Sequence, residues 1–152
     1  MNSNQISHLQ AHLGYWMRMV SNRVSEEFQR GVEASGVSVS EWVALRVLYD
    51  QSNTTHGSLT QTLGMTKGAI SKIVSRLEDK QLIERSVDDG DARLVVLALT
   101  PAGRALVPRL AQIADENDQR FFGHLSEAQQ AQLRELLESI VRQQQLTEIP
   151  VR

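Results

Sequence analysis

The chain of 152 residues contains no cysteine, which excludes disulfides, thiol redox switching and cysteine-ligated zinc. Aromatic residues make up only 5% of it against 41% hydrophobic residues, so a core must be built from aliphatic side chains. The formal net charge of -2 supplies no global attraction to nucleic acid, membrane or acidic substrates, and binding any of them requires local clustering of charge. No apolar run approaches the ~20 residues that span a bilayer. The opening MNSNQISHLQ lacks a basic region followed by an apolar run, so no signal peptide is expected and the cytoplasm is the expected compartment. His8, His12, His56 and His124 have no metal-ligand spacing. Neither a nucleophile–base pair nor a phosphate loop nor paired carboxylates in an apolar setting can be found. No metal, no cofactor and no enzymatic activity are therefore expected.

What is present is mostly helical periodicity, with length for one domain or two lobes sharing a core. Ile6, Leu9, Leu13, Trp16, Met17, Val20, Val24 and Phe28 recur at steps of three and four, predicting one long helix over about 4–34, through Gly14. SVSE at 38–41 reads as a capping box opening the next helix. QSNTTHG is a polar loop, and SLTQTLG a short helix that Gly64 can end. Thr66 is placed to cap the helix KGAISKIVSRLEDK. LIERSV and LVVLALT, separated by a turn-rich loop, read as a β-hairpin. Thr100 and Pro101 open a helix running to about Gly123, with a kink or break expected at Pro108. SEAQ at 126–129 is a second capping box, and the last helix ends in a tail, LTEIPVR, expected to fray.

Two short helices, a tight turn and a hairpin are the order of a winged helix-turn-helix. On a helical wheel the second helix gathers Ile70, Ile73, Val74 and Leu77 on one side. Lys67, Gly68, Ser71, Lys72, Ser75 and Arg76 gather on the other. From Thr66 to Leu77 there are three cations and no carboxylate. Short side chains let the backbone approach a groove floor, Lys67, Lys72 and Arg76 can reach phosphates or guanine edges, and the free amides near Thr66 can take a phosphate. Taken alone, such a face also suits an ordinary solvated helix; its conjunction with the preceding helix and the hairpin favours DNA.

The stretch LTQTLGMTKGAISKIVSRLEDKQLIERSVDDGDARLVVLALTPAGRAL resembles the DNA-binding lobe of the MarR family of bacterial transcription regulators. The family's wing pattern is met by Asp91 two before Arg93, a strand, then Leu99, Thr100 and Gly103. The order of the flanking helices extends the resemblance over nearly the whole chain. Two departures stand out: Gln81 where the family often has glycine, and a loop, SVDDGD, more acidic than many wings. The resemblance implies that the wing tip lies over the minor groove, where Arg93 suits the negative potential and Asp91 braces its guanidinium. It also implies that helices from both ends of the chain interlock with those of a second subunit. Long amphipathic helices too large for so small a lobe to cover agree with that.

The expected fold is thus mainly α with a small β-hairpin wing. A winged helix-turn-helix lobe over 37–103 is joined to a helical dimerisation region over 1–36 and 104–152. The implied function is that of a sequence-specific DNA-binding transcription regulator, a homodimeric repressor on a pseudo-palindromic operator, released by a small ligand. The alternative is a winged-helix protein-interaction module without DNA binding, which the acidic wing and net charge of -2 favour slightly. The resemblance further implies a small aromatic ligand between dimer helices and lobe. His12, Trp16, Met17, Trp42, Arg46 and Tyr49 are its candidate contacts, with the tryptophans otherwise core residues and Arg46 otherwise solvated. Lack of cysteine removes the family's thiol-based peroxide sensing.

Overall fold

A computed structural model describes residues 6–88 and 90–151, with the backbone alone at 88 and 91–94. The elements are α1 (Leu13–Ala34), α2 (Val39–Asp50), β1 (Thr54–Thr55), α3 (His56–Leu63), α4 (Lys67–Asp79), β2 (Ile83–Asp88), β3 (Asp91–Leu99), α5 (Pro101–Phe122) and α6 (Glu127–Gln143). The architecture is helical with one small antiparallel sheet of order β1-β3-β2. Its core is aliphatic: Leu45, Leu48, Leu59, Leu63, Ile70, Leu77 and Leu110 are fully buried, with Phe28, Trp42 and Tyr49 at the edge.

Local signals set most boundaries. Ser38 accepts the amide of Glu41 at 3.1 Å while Glu41 accepts that of Ser38 at 3.3 Å, closing the capping box of α2. Ser126 and Gln129 close a second capping box at α6, and the Thr66 and Thr100 hydroxyls cap α4 and α5 by accepting the amides of Ala69 and Gly103. Gly64, at φ 62, turns α3 out in the left-handed conformation that glycine adopts without steric cost. Gln81 does the same after α4 at φ 60, and the amide of Leu82 closes the turn on the carbonyl of Leu77 at 2.9 Å.

Four expectations need correction. First, α1 starts at Leu13 instead of near residue 4, after a 3-10 turn over Leu9–Ala11. Ile6 and Leu9 are 71% and 70% exposed, and a helix end with no packing surface gains little from its apolar period. Second, β1 lies in the stretch expected to be a loop and pairs Thr54 with Leu97 and Thr55 with Val96, so the hairpin is a three-stranded sheet and α3 begins at His56. Third, α5 runs unbroken through Pro108, which is exposed while Val107 and Leu110 hold both sides to the core. Fourth, the tail does not fray throughout: Ile149 packs against the core.

The α1–α5 contact is close. A Cβ on Gly31 would meet the Ile113 side chain at 2.7 Å, and the Asn117 amide donates to the carbonyl of Val24 at 3.1 Å. Beyond it α6 buries no residue, and Leu136, Leu137, Ile140 and Val141 stand exposed. Leu13, Trp16, Met17 and Val20 do the same on α1, so apolar faces near both ends of the chain lack a covering element within the described residues.

Candidate nucleic-acid interface

Helix α4 is held at both ends. At its N-terminus the Thr66 hydroxyl accepts the amide of Ala69 at 3.1 Å. The amides of Lys67 and Gly68 have no partner among the described residues and point out of the helix end. At its C-terminus Lys80 donates to both oxygens of Glu41, at 3.0 and 2.7 Å. The Glu41 side chain is only 4% exposed, so its carboxylate, already part of the α2 cap, ties the end of α4 to the start of α2. A second pair, Arg85 to Glu78 at 2.7 Å, ties β2 to the same end of α4.

The wing is anchored by a compact turn. Thr100 donates its hydroxyl to the carbonyl of Gln81 at 2.7 Å, and its amide reaches Leu82 at 3.0 Å. The same hydroxyl caps α5 at Gly103, where a Cβ would collide with the backbone carbonyl of Leu82. The Leu99–Thr100–x–x–Gly103 pattern is therefore the joint between α4, the sheet and α5.

The burial pattern of α4 follows the helical wheel. Ile70, Ile73, Val74 and Leu77 are buried, and Lys67, Gly68, Ser71, Lys72, Ser75 and Arg76 are exposed together. Thr66 is exposed at the start of this face. Among the described residues no carboxylate pairs with Lys67, Lys72 or Arg76. A Cβ on Gly68 would meet nothing within 4 Å, so no packing among the described residues requires glycine there. His56, which has no metal-ligand spacing to mark it, reaches the Ser71 hydroxyl at 3.1 Å. It shares a surface hollow of about 530 Å³ with Lys67, Ser71, Arg85 and Val95, between α3, α4 and the sheet. The only sequence signal for it is its place at the start of α3. Asp91 and Arg93 lie on β3 at the hairpin tip, and their side chains fall outside the described ones.

A second hollow, about 400 Å³, opens between α1, α2 and α5. Val24, Phe28, Val39, Trp42, Val43 and Ala114 give it apolar walls, and Ser25, Asn117 and Asp118 its polar atoms. The Phe28 and Trp42 rings meet edge to face at 6.5 Å. Of the aromatic-ligand candidates, Trp42 lines this cleft and the others lie elsewhere. His12 stands at the start of α1 with its ring against the carbonyl of Leu9 at 3.3 Å, and Trp16 donates to the carbonyl of Gln10 at 2.9 Å while its ring packs on Tyr15. Arg46 pairs with Asp50 at 2.6 Å and sits over Tyr49. Met17 is exposed on α1. Among the described residues no group of three or more His, Asp or Glu could hold a metal ion, and no helix is long and apolar enough to cross a membrane.

A short helix, a turn, a second helix with an exposed cationic face, and a sheet braced against that helix define a winged helix-turn-helix protein. Residues 37–95 match the model of the MarR family. A relative in Mycobacterium bovis, the HTH-type transcriptional repressor Mb2911, is 26% identical over 86% of this chain and 94% of its own. The Staphylococcus aureus MepR–DNA complex superposes with a TM-score of 0.75 at 28% identity, over 87% of this chain and 98% of that one. Bordetella bronchiseptica BpsR, solved in connection with regulation of its DNA binding by 6-hydroxynicotinic acid, superposes at 0.73 with 27% identity, over 89% and 96%. The similarity to the MarR family thus lies in the lobe, and the chain's relatives include transcriptional repressors.

Proposed function

We propose that the protein is a homodimeric, sequence-specific DNA-binding transcription regulator, a repressor released by a small ligand. The observation that carries this reading is the exposed face of α4: three cations, two serines and a glycine, with no paired carboxylate among the described residues, on a helix braced by Glu41–Lys80 and by the wing. In this reading α4 enters the major groove. Gly68, Ser71 and Ser75 permit close approach, Lys67, Lys72 and Arg76 meet phosphates or guanine edges, and Thr66 leads the phosphate-binding helix end. His56 joins the same face. Arg93 reaches the minor groove, braced by Asp91. The lobe spans 37–103. The regions 1–36 and 104–152 supply the dimer contacts, supported by the uncovered apolar residues of α1 and α6. No catalytic step is assigned. The expected place of action is the cytoplasm, where a repressor of this kind meets DNA.

The ligand is assigned to the α1/α2/α5 cleft, supported by the control by a small aromatic acid that BpsR is described with. Among the described residues lining the cleft, Asp118 is the one ionisable side chain, so an uncharged or cationic aromatic compound fits better than a carboxylate. Trp42 is its stacking wall. His12, Trp16 and Arg46, outside that lining, carry no assigned contact.

Footprinting on the DNA upstream of its own gene tests the reading. Two protected half-sites about one helical turn apart, ~10 base pairs, are expected from a two-fold dimer. Retention of the protein on a partner protein but on no DNA column at low salt would leave the interaction-module alternative.

A further inference from the structure

Beyond α6 the chain doubles back. Ile149 and Val151 are half-buried while Pro150 between them is exposed, the alternation of an extended segment lying on a surface. Ile149 and Pro150 line the α1/α2/α5 cleft together with Trp42 and Val43. The same two residues, with Glu148 and Val151, also wall a hollow of about 660 Å³ on the lobe. Its other side is made of Ser40 at the start of α2 and Leu63, Gly64, Met65, Thr66 and Ala69 at the α3–α4 turn. The tail therefore stands between the cleft and the start of the helix carrying the cationic face. Among the described residues no hydrogen bond holds 148–151, and only Ile149 and Val151 gain cover. Ordering several backbone residues for two half-buried side chains makes a marginal seat, which a competing apolar occupant can empty.

We propose that residues 148–151 form a displaceable strap. Seated, it completes the cleft and braces the α3–α4 turn. A ligand entering beside Trp42 takes the place of Ile149, the strap leaves, and Met65 and Thr66 lose their support. Occupancy is thereby relayed to the start of α4 by a segment of the chain itself. The relay rests on the ligand assignment above; the seat does not.

The test compares the full chain, a chain ended at Thr147, and Ile149→Asp by backbone-amide NMR, with 2-naphthol as an uncharged aromatic probe. Truncation is expected to shift the amides of Val43, Met65 and Thr66. Ile149→Asp should reproduce those shifts at unchanged length while Ala44 and Leu45, in the core, hold their positions. Unmoved Met65 and Thr66 in both variants overturn the seat, whether or not the protein binds DNA. In the full chain, 2-naphthol should shift Val43 and move Met65 and Thr66 toward their positions in the truncated chain. A probe that shifts Val43 yet leaves Met65 and Thr66 in place overturns the relay. A probe that leaves Val43 in place too overturns the cleft as the ligand site, and the relay with it, while the truncation shifts still decide the seat.

Discussion

Gly103 and Gly68 are both glycines on helices of the lobe, and their surroundings give them opposite roles. A Cβ at Gly103 meets the Leu82 carbonyl, a backbone group that cannot step aside without moving the joint of α4 and the sheet. Gly103→Ala should therefore destabilise the fold by at least about 2 kcal/mol, read as a lower midpoint in urea unfolding. A Cβ at Gly68 meets open space. Gly68→Ala should leave stability equal or raise it by up to ~1 kcal/mol, as alanine does for glycine in a helix. If DNA is the missing neighbour, operator affinity should nonetheless fall by about tenfold, because the added methyl holds the backbone away from the groove floor. Equal affinity with equal stability would mean that the α4 backbone keeps its distance from the groove. For the wing, Arg93→Ala should weaken binding, and Asp91→Ala should weaken it too if Asp91 orients that guanidinium. The double variant should then lose little more than Arg93→Ala alone. Tighter binding by Asp91→Ala at fixed salt would show that its charge merely repels phosphate.

Among the elements, α4 is the one whose burial the sequence most clearly foretells, because an apolar stripe at 70, 73, 74 and 77 leaves its cationic side a single orientation. Caps at Ser38, Thr66, Thr100 and Ser126 are legible for the same local reason: one hydroxyl answers one orphan amide. What escapes is non-local. β1 is two residues long and exists only because β3 offers Leu97 and Val96 as partners. The seat of Ile149 depends on a surface assembled from several helices, and the Glu41–Lys80 pair joins residues 39 apart. The start of α1 is overrun because its periodic pattern continues past the last turn that has a packing surface. The Glu41–Lys80 pair makes its own prediction. Lys80→Ala leaves a buried carboxylate with only its cap. It should cost about 2 kcal/mol of stability, a reduced value because Lys80 is partly exposed. Lys80→Arg should restore most of it; failure of both variants to differ from wild type in unfolding would remove the pair as a brace of α4.

At the scale of the whole molecule, the exposed apolar residues of α1 and α6 are the largest unfavourable feature, and a second copy is the simplest cover. Removing the chain after Ser126 should yield monomers or aggregates without operator binding. A truncated protein that stays dimeric by light scattering and still binds would take the interface away from α6. Two-fold pairing would set two α4 helices facing successive turns of one groove, and their cations should govern salt dependence. The most direct measurement of the central claim is an anisotropy titration of the footprinted operator over a range of salt, comparing wild type with Lys72→Ala. If Lys72 meets a phosphate, its removal should weaken binding to all sequences alike and lower the salt slope by ~1 per site. If it reads a guanine, its removal should instead abolish discrimination at one base pair of each half-site. An unchanged affinity, slope and sequence preference would contradict the assignment of the α4 face as the reader of DNA.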